Sequence, residues 1–168
     1  MKKILCILML LFMIFQASGC TEKNESEIPE AVNFYYQTKE VEYRNKNGLI
    51  ASENKDVKKS IHDLTTLFNL YLQGPDDSNL LSPFPENTVV RNITHKNSIF
   101  AITLSKEFSQ LTGYDLSVAC ACLTLTIQQC VDANLVQISA EGAELDGNKH
   151  ITMSTDSLVL FDQVAPKD

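Results

Sequence analysis

The sequence is short of positive charge. Fourteen Lys and Arg stand against 21 Asp and Glu, a formal net charge of −7 over 168 residues. A nucleic-acid binder needs the reverse balance, gathered into a basic patch, so the composition argues against nucleic acid as a partner. Cysteine is scarce and odd in number, five in all, which does not suit a disulfide scaffold. Glycine-rich phosphate loops are missing, as are a nucleophile elbow and a His-Glu-x-x-His zinc helix. Neither a repeat of solenoid period nor a low-complexity tract is present. What remains, with 44% hydrophobic and 21% charged residues, is an ordinary globular composition with material for one domain.

The longest apolar run is at the start. Lys2 and Lys3 precede an unbroken apolar stretch from Ile4 to Phe15. A membrane span needs about 20 such residues, so this run reads as a secretory signal, with residues 1–19 as its extent. Ala17-Ser18-Gly19-Cys20 resembles the bacterial lipobox, which departs here only in having Ala17 where Leu is most common. The resemblance implies a diacylglycerol thioether on Cys20 and cleavage just before it. Removing residues 1–19 takes away two Lys and no acid. The mature chain is then more acidic still and gains nothing electrostatically from an anionic bilayer. Acyl chains must hold it, at about 0.8 kcal/mol per buried methylene. The expected location is the outer face of the bacterial cytoplasmic membrane. Residues 20–31 form the lipidated Cys and a polar tether broken by Pro29, with a reach of about 35 Å when stretched.

Beyond the tether, residues 32–147 carry the domain and 148–168 a tail. Val32–Tyr36 reads as a strand, Asn47-Gly48 as a turn and Leu49–Ala51 as a short second strand. Val57, Ile61, Leu64, Phe68 and Tyr71 recur at helical spacing, with Asn54 and Asp56 upstream as caps and Gly74-Pro75 as the stop. A hairpin follows from Thr88 to Leu104, turning at Asn97-Ser98. The second helix is expected over Asp115–Val131, with Leu116, Cys120, Leu123, Ile127 and Cys130 within about 80° of one another as its core stripe. Leu135–Ile138 is the next strand, and Leu158–Phe161 in the tail is a weaker candidate for an added strand. The order β-β-α-β-β-α-β predicts an α+β fold, two helices packed on one face of a mainly antiparallel sheet.

Four segments together carry a family likeness. Leu70-Tyr71-Leu72-Gln73-Gly74-Pro75 ends a helix, Pro85-Glu86-Asn87-Thr88 enters a hairpin, Ser105-Lys106-Glu107-Phe108 closes it, and Leu123-Thr124-Leu125-Thr126 runs toward Val136-Gln137-Ile138-Ser139-Ala140-Glu141-Gly142. In this order and spacing they resemble the GerMN domain, the sporulation and spore-germination module of Gram-positive bacteria. The resemblance covers residues 32–147. It implies a lipoprotein or single-span protein whose domain is an interaction module related to ring-building folds, with no enzymatic activity and no cofactor. Its partners would be the membrane, through the lipid anchor, and other envelope or sporulation proteins, with a homo-oligomer left open. An alternative use of the same scaffold is a surface lipoprotein that binds a small molecule or glycan.

The chemistry-bearing residues have plain structural readings. Cys120 and Cys122 point about 200° apart on a helix, and Cys130 lies about 15 Å further along the axis. They do not converge on one ion, and Cys120 and Cys130 read as small buried hydrophobes. His62, His95 and His150 are scattered, and Asp76-Asp77 and Asp146-Gly147-Asn148 read as turns before they read as calcium ligands. One feature of the second helix points outward. Val118, Cys122 and Leu125 lie at about 200°, 240° and 180° from Leu116, opposite the core stripe. Left exposed, they form an apolar patch for a partner; the competing expectation is that the tail covers them.

Overall fold

Alternation of buried and half-exposed side chains makes the first strand. Val32, Phe34, Tyr36 and Thr38 are buried along β1 (Ala31–Thr38), with Asn33, Tyr35 and Gln37 between them. The structure, a computed structural model, describes residues 28–39, 48–57, 61, 63–154, 156 and 158. The signal segment, Cys20, the tether up to Glu27, Asn47, His62 and residues 159–161 of the tail lie outside the described residues.

β2 (Ile50–Asp56) is longer than its sequence signal and pairs antiparallel along β1, from Gln37↔Ile50 to Ala31↔Asp56. Asn54 and Asp56, expected to cap the first helix, therefore belong to this strand. The helix itself, α1 (Leu64–Tyr71), begins later. Asp63 supplies the cap: its carboxylate accepts from the Thr66 N–H at 2.8 Å and from the Thr66 hydroxyl at 2.7 Å, satisfying a donor the first turn leaves open. Val57 and Ile61 precede the helix yet are buried. Gly74 ends the segment as expected, at φ +98° before Pro75.

A two-residue strand without a sequence signal, β3 (Leu80–Leu81), pairs with Gln37 and Thr38 at the far end of β1. The hairpin follows as β4 (Val90–Lys96) and β5 (Ile99–Leu104). Asn97 and Ser98 both take positive φ, 52° and 60°, the two-residue turn whose twist suits a hairpin. A 3-10 turn (Lys106–Gln110) buries Phe108, and α2 (Gly113–Cys130) crosses over to β6 (Leu135–Ala140), which runs parallel to β5. A final short strand, β7 (Ile151–Met153), adds antiparallel to β6.

The α+β class, the two helices and the mainly antiparallel pairing are as expected. The strands are divided, however, between a three-stranded sheet of order β2-β1-β3 and a four-stranded sheet of order β4-β5-β6-β7. The helix α2 makes contact with both, with β1 on one side and with β6 and β7 on another. This division explains why α2 is buried nearly all round: Leu116, Val118, Ala119, Cys120, Cys122, Leu123, Thr124, Thr126, Ile127 and Cys130 are all inside. Beyond its first turn, only a narrow stripe of the helix faces solvent, with Ser117 and Gln129 exposed and Ala121, Leu125 and Gln128 half-buried.

Candidate docking surface

The proposed partner strip on α2 is not a surface. Val118 is 5% exposed and Cys122 fully buried, with Leu125 half-buried. Cys122 lies against Tyr36 of β1 and Tyr71 of α1, and the tail residues 159–161, expected as a competing cover, lie outside the described residues. Among the described residues β1 has no strand on the side away from β2 beyond its two-residue pairing with β3, and α2 occupies that edge. The Tyr35 N–H donates to Thr126 Oγ1 at 3.1 Å, and the Asn33 amide reaches Gln129 Oε1 at 3.4 Å. From α1, the Tyr71 hydroxyl donates to the Tyr35 carbonyl at 2.6 Å, while Tyr36 Oη donates back to the Tyr71 carbonyl at 2.9 Å. An open strand edge invites pairing with another chain; here helix side chains satisfy it from within. The apolar strip signalled a second buried face, because one helix serves two sheets.

Around Tyr71 lies an aromatic cluster, with Phe34, Tyr36 and Phe84 each 5.1 Å away between ring centroids. Burial pushes the Tyr36 and Tyr71 phenols well above their ordinary pKa. The thiols of Cys120, Cys122 and Cys130 are free, buried, and each pushed up to about 12 by burial. They lack the thiolate character that a nucleophile or redox pair needs. His95 and His150 are exposed, and His95 stands beside Phe100, 6.1 Å between centroids. Among the described residues no group of three or more His, Cys, Asp or Glu could hold a metal ion. Asp76 pairs with Lys55, and Asp77 accepts from the Asn79 N–H at 2.8 Å. Asp146 sits at φ 47° and accepts from the Gly113 N–H at 2.8 Å. Asp76-Asp77 and Asp146-Gly147-Asn148 are thus parts of turns or ties, the reading the sequence favours. Glu53 joins Lys55 and accepts from the Asp76 and Asp77 N–H groups. Burial works against its charge, but these bonds outweigh it and hold its pKa below the ordinary carboxylate value.

The surface that remains has two poles. At one, the described chain begins, and an open, polar trough of about 930 Å³ is lined by Pro29, Gln128, Asp132, Asn134, Leu135 and Asp156 among others. The turn between β4 and β5 is here too, since the Asn134 N–H bonds to the Ser98 carbonyl at 2.8 Å. At the far pole, where β1 ends and α2 begins, a groove of about 400 Å³ runs between Pro83, Phe84, Pro85 and Leu111, with Gln37, Gln110 and Asp115 also lining it. Two exposed apolar side chains flank it in sequence: Tyr114, 61% exposed, next to Asp115, and Leu81, 42% exposed, paired with Gln37. The sequence reading missed this pole. Its one available signal was Tyr114, an aromatic in the first turn of α2 that lies off the core stripe.

Comparison with known proteins follows the same outline. A family model described as sporulation and spore germination (Germane) matches residues 33–146. The first GerMN domain of the sporulation protein GerM from Bacillus subtilis has a similar structure, TM-score 0.58 at 18% identity, covering 76% of this chain and 98% of that domain. The tandem GerMN domains of the same protein give a TM-score of 0.54 at 17% identity, over 76% of this chain and 45% of theirs. This chain therefore spans less than half of that two-domain structure. At such identities the likeness is one of fold. No curated protein sequence matches the chain.

Proposed function

Since the chain belongs to the sporulation and spore germination (Germane) family, we propose that it is a lipid-anchored, non-enzymatic interaction module that works in sporulation or germination at the outer face of the cytoplasmic membrane. One observation carries this reading. The described chain begins at one pole, whereas the groove with its exposed aromatic lies at the other. A tether rising from Cys20 would deliver the first pole toward the bilayer and leave the second pointing outward. The residues around the groove are a Tyr, two Leu, a Phe and two Pro, which is contact chemistry without a nucleophile and base. Replacing Cys20 with Ser tests the anchor. The variant should move from the membrane fraction to the soluble one, and mass spectrometry of the wild type should find a lipid on an N-terminal Cys20. Unmodified Cys20 in the mature protein would overturn the anchor.

The polar trough favours a second reading, a glycan ligand held by carboxamides and carboxylates. Titrating the protein with chitin oligosaccharides should then shift the amide signals of Gln128, Asn134 and Leu135. No shift at millimolar sugar would dismiss it.

A further inference from the structure

We infer that the far-pole groove docks a positively charged segment of a protein partner, with one apolar side chain of that segment seated between Phe84, Pro85 and Leu111. This rests on the reading of the protein as an anchored interaction module, and it adds the place of contact and the chemistry of the partner.

The groove supplies the apolar part. Its volume, about 400 Å³, is in the range of ligand clefts. Tyr114 and Leu81 beside it are two of the four large hydrophobic side chains left exposed among the described residues. Exposed Tyr with buried Pro and Phe next to it is the composition of an interface centre rather than of ordinary surface.

Charge selects the occupant. Asp115 lines the groove, and Glu86 and Asp146 are exposed on the loops around it. Glu107 adds a fourth carboxylate, held below its ordinary pKa first by the Ser105 hydroxyl. The segments that form the pole, 80–89, 105–115 and 141–148, hold six Asp and Glu against Lys106, with Lys39 at the end of β1 and Lys149 bordering them. On the neighbouring edge strand Arg91, at the pole end of β4, is paired with Glu141 at 3.0 Å and acts on Glu107, whereas His95 and Lys96 lie toward the other end of β4. With a net charge of −7 behind them, these carboxylates attract a Lys- or Arg-bearing segment at a distance and repel an acidic one.

Photo-crosslinking in the producing cell tests this with the full chain. p-Benzoylphenylalanine is placed at Tyr114 or Leu81, and as controls at His95 on β4 or Leu135 at the opposite pole. Adducts should form at 114 and 81 and be at least tenfold weaker at the controls, and the crosslinked peptide should carry net positive charge. Asp115→Asn with Glu86→Gln should lower the 114 adduct at least fivefold while thermal unfolding of the purified protein stays unchanged. Equal adducts at the control sites, a neutral or acidic crosslinked peptide, a second copy of this chain as the adduct, or no response to neutralisation would each overturn the inference. The anchor is judged separately. If Cys20→Ser leaves the protein in the membrane fraction but the 114 adduct persists, the anchor fails and the docking surface stands.

Discussion

The two buried sides of α2 are held by different physics. One side, the stripe of Leu116, Cys120, Leu123 and Ile127, is apolar throughout and buried. The other meets β1 through oriented hydrogen bonds, from the Tyr35 N–H to Thr126 Oγ1 and from the Asn33 amide to Gln129 Oε1, and α1 ties the same strand through the Tyr71 hydroxyl and the Tyr35 carbonyl. Area removed from water is nearly indifferent to direction, so the first side tolerates small shifts. The second fixes the helix along a strand edge, because a hydrogen bond weakens steeply away from its preferred direction.

The largest effect is expected on the apolar side. Leu123 is fully buried, and Leu123→Ala should cost about 2–5 kcal/mol, by lost transfer energy and the cavity left behind. Urea unfolding of the purified domain measures it. A loss below about 1 kcal/mol would mean that this side of the helix is loosely packed and held no differently from the other.

The same contrast explains what was legible from the sequence. Periodicity reveals burial but not what does the burying. Leu116, Leu123 and Ile127 repeat at helical spacing and were read correctly as core. Val118 and Cys122 repeat equally well on the opposite side, and a second sheet gives the same signal as an exposed patch. The missed elements have little local signal. β3 is two residues long and β7 three, and each exists because a neighbouring strand offers it an edge. The delayed start of α1 is a contest between capping residues, won by Asp63, whose carboxylate bonds both the N–H and the hydroxyl of Thr66. By contrast the hairpin turn at Asn97-Ser98 and the stop at Gly74 were readable because each needs a positive φ that few residues adopt cheaply. The far-pole groove was invisible for another reason: Gln37, Phe84, Leu111 and Asp115 come from separate elements, and no single window contains it.

On the seam side the effect should be intermediate. Tyr71→Phe keeps the ring among Phe34, Tyr36 and Phe84 but removes the donor to the Tyr35 carbonyl. A buried acceptor left without its partner costs about 1–3 kcal/mol. Hydrogen exchange at the Tyr35 amide gives a more local check. It should quicken in Tyr71→Phe beyond what the global loss of stability explains, and in Leu123→Ala it should follow the global loss alone. Equal behaviour of the two variants would show that the seam does not orient the edge.

The smallest effect at neutral pH, and the most direct comparison of dryness on the two sides, comes from the cysteines. Cys120 lies on the apolar stripe and Cys122 on the seam, and burial pushes both thiols up to about 12. An unfolded thiol titrates near 8.5. Below that, both states keep the proton, and Cys120→Ala or Cys122→Ala should differ from wild type only by lost packing. Above it, the unfolded chain loses protons that the folded chain retains. Stability must then fall as pH rises from about 8.5 toward 12, since the native state binds more protons. Each alanine variant removes one contributor, so each should flatten the alkaline slope of the unfolding free energy between pH 8.5 and 10. If both sides of α2 are equally dry, the two variants should flatten it by the same amount. A flattening by Cys120→Ala alone would mean that water reaches Cys122, and that α2 opens from β1 while it stays closed against β6 and β7.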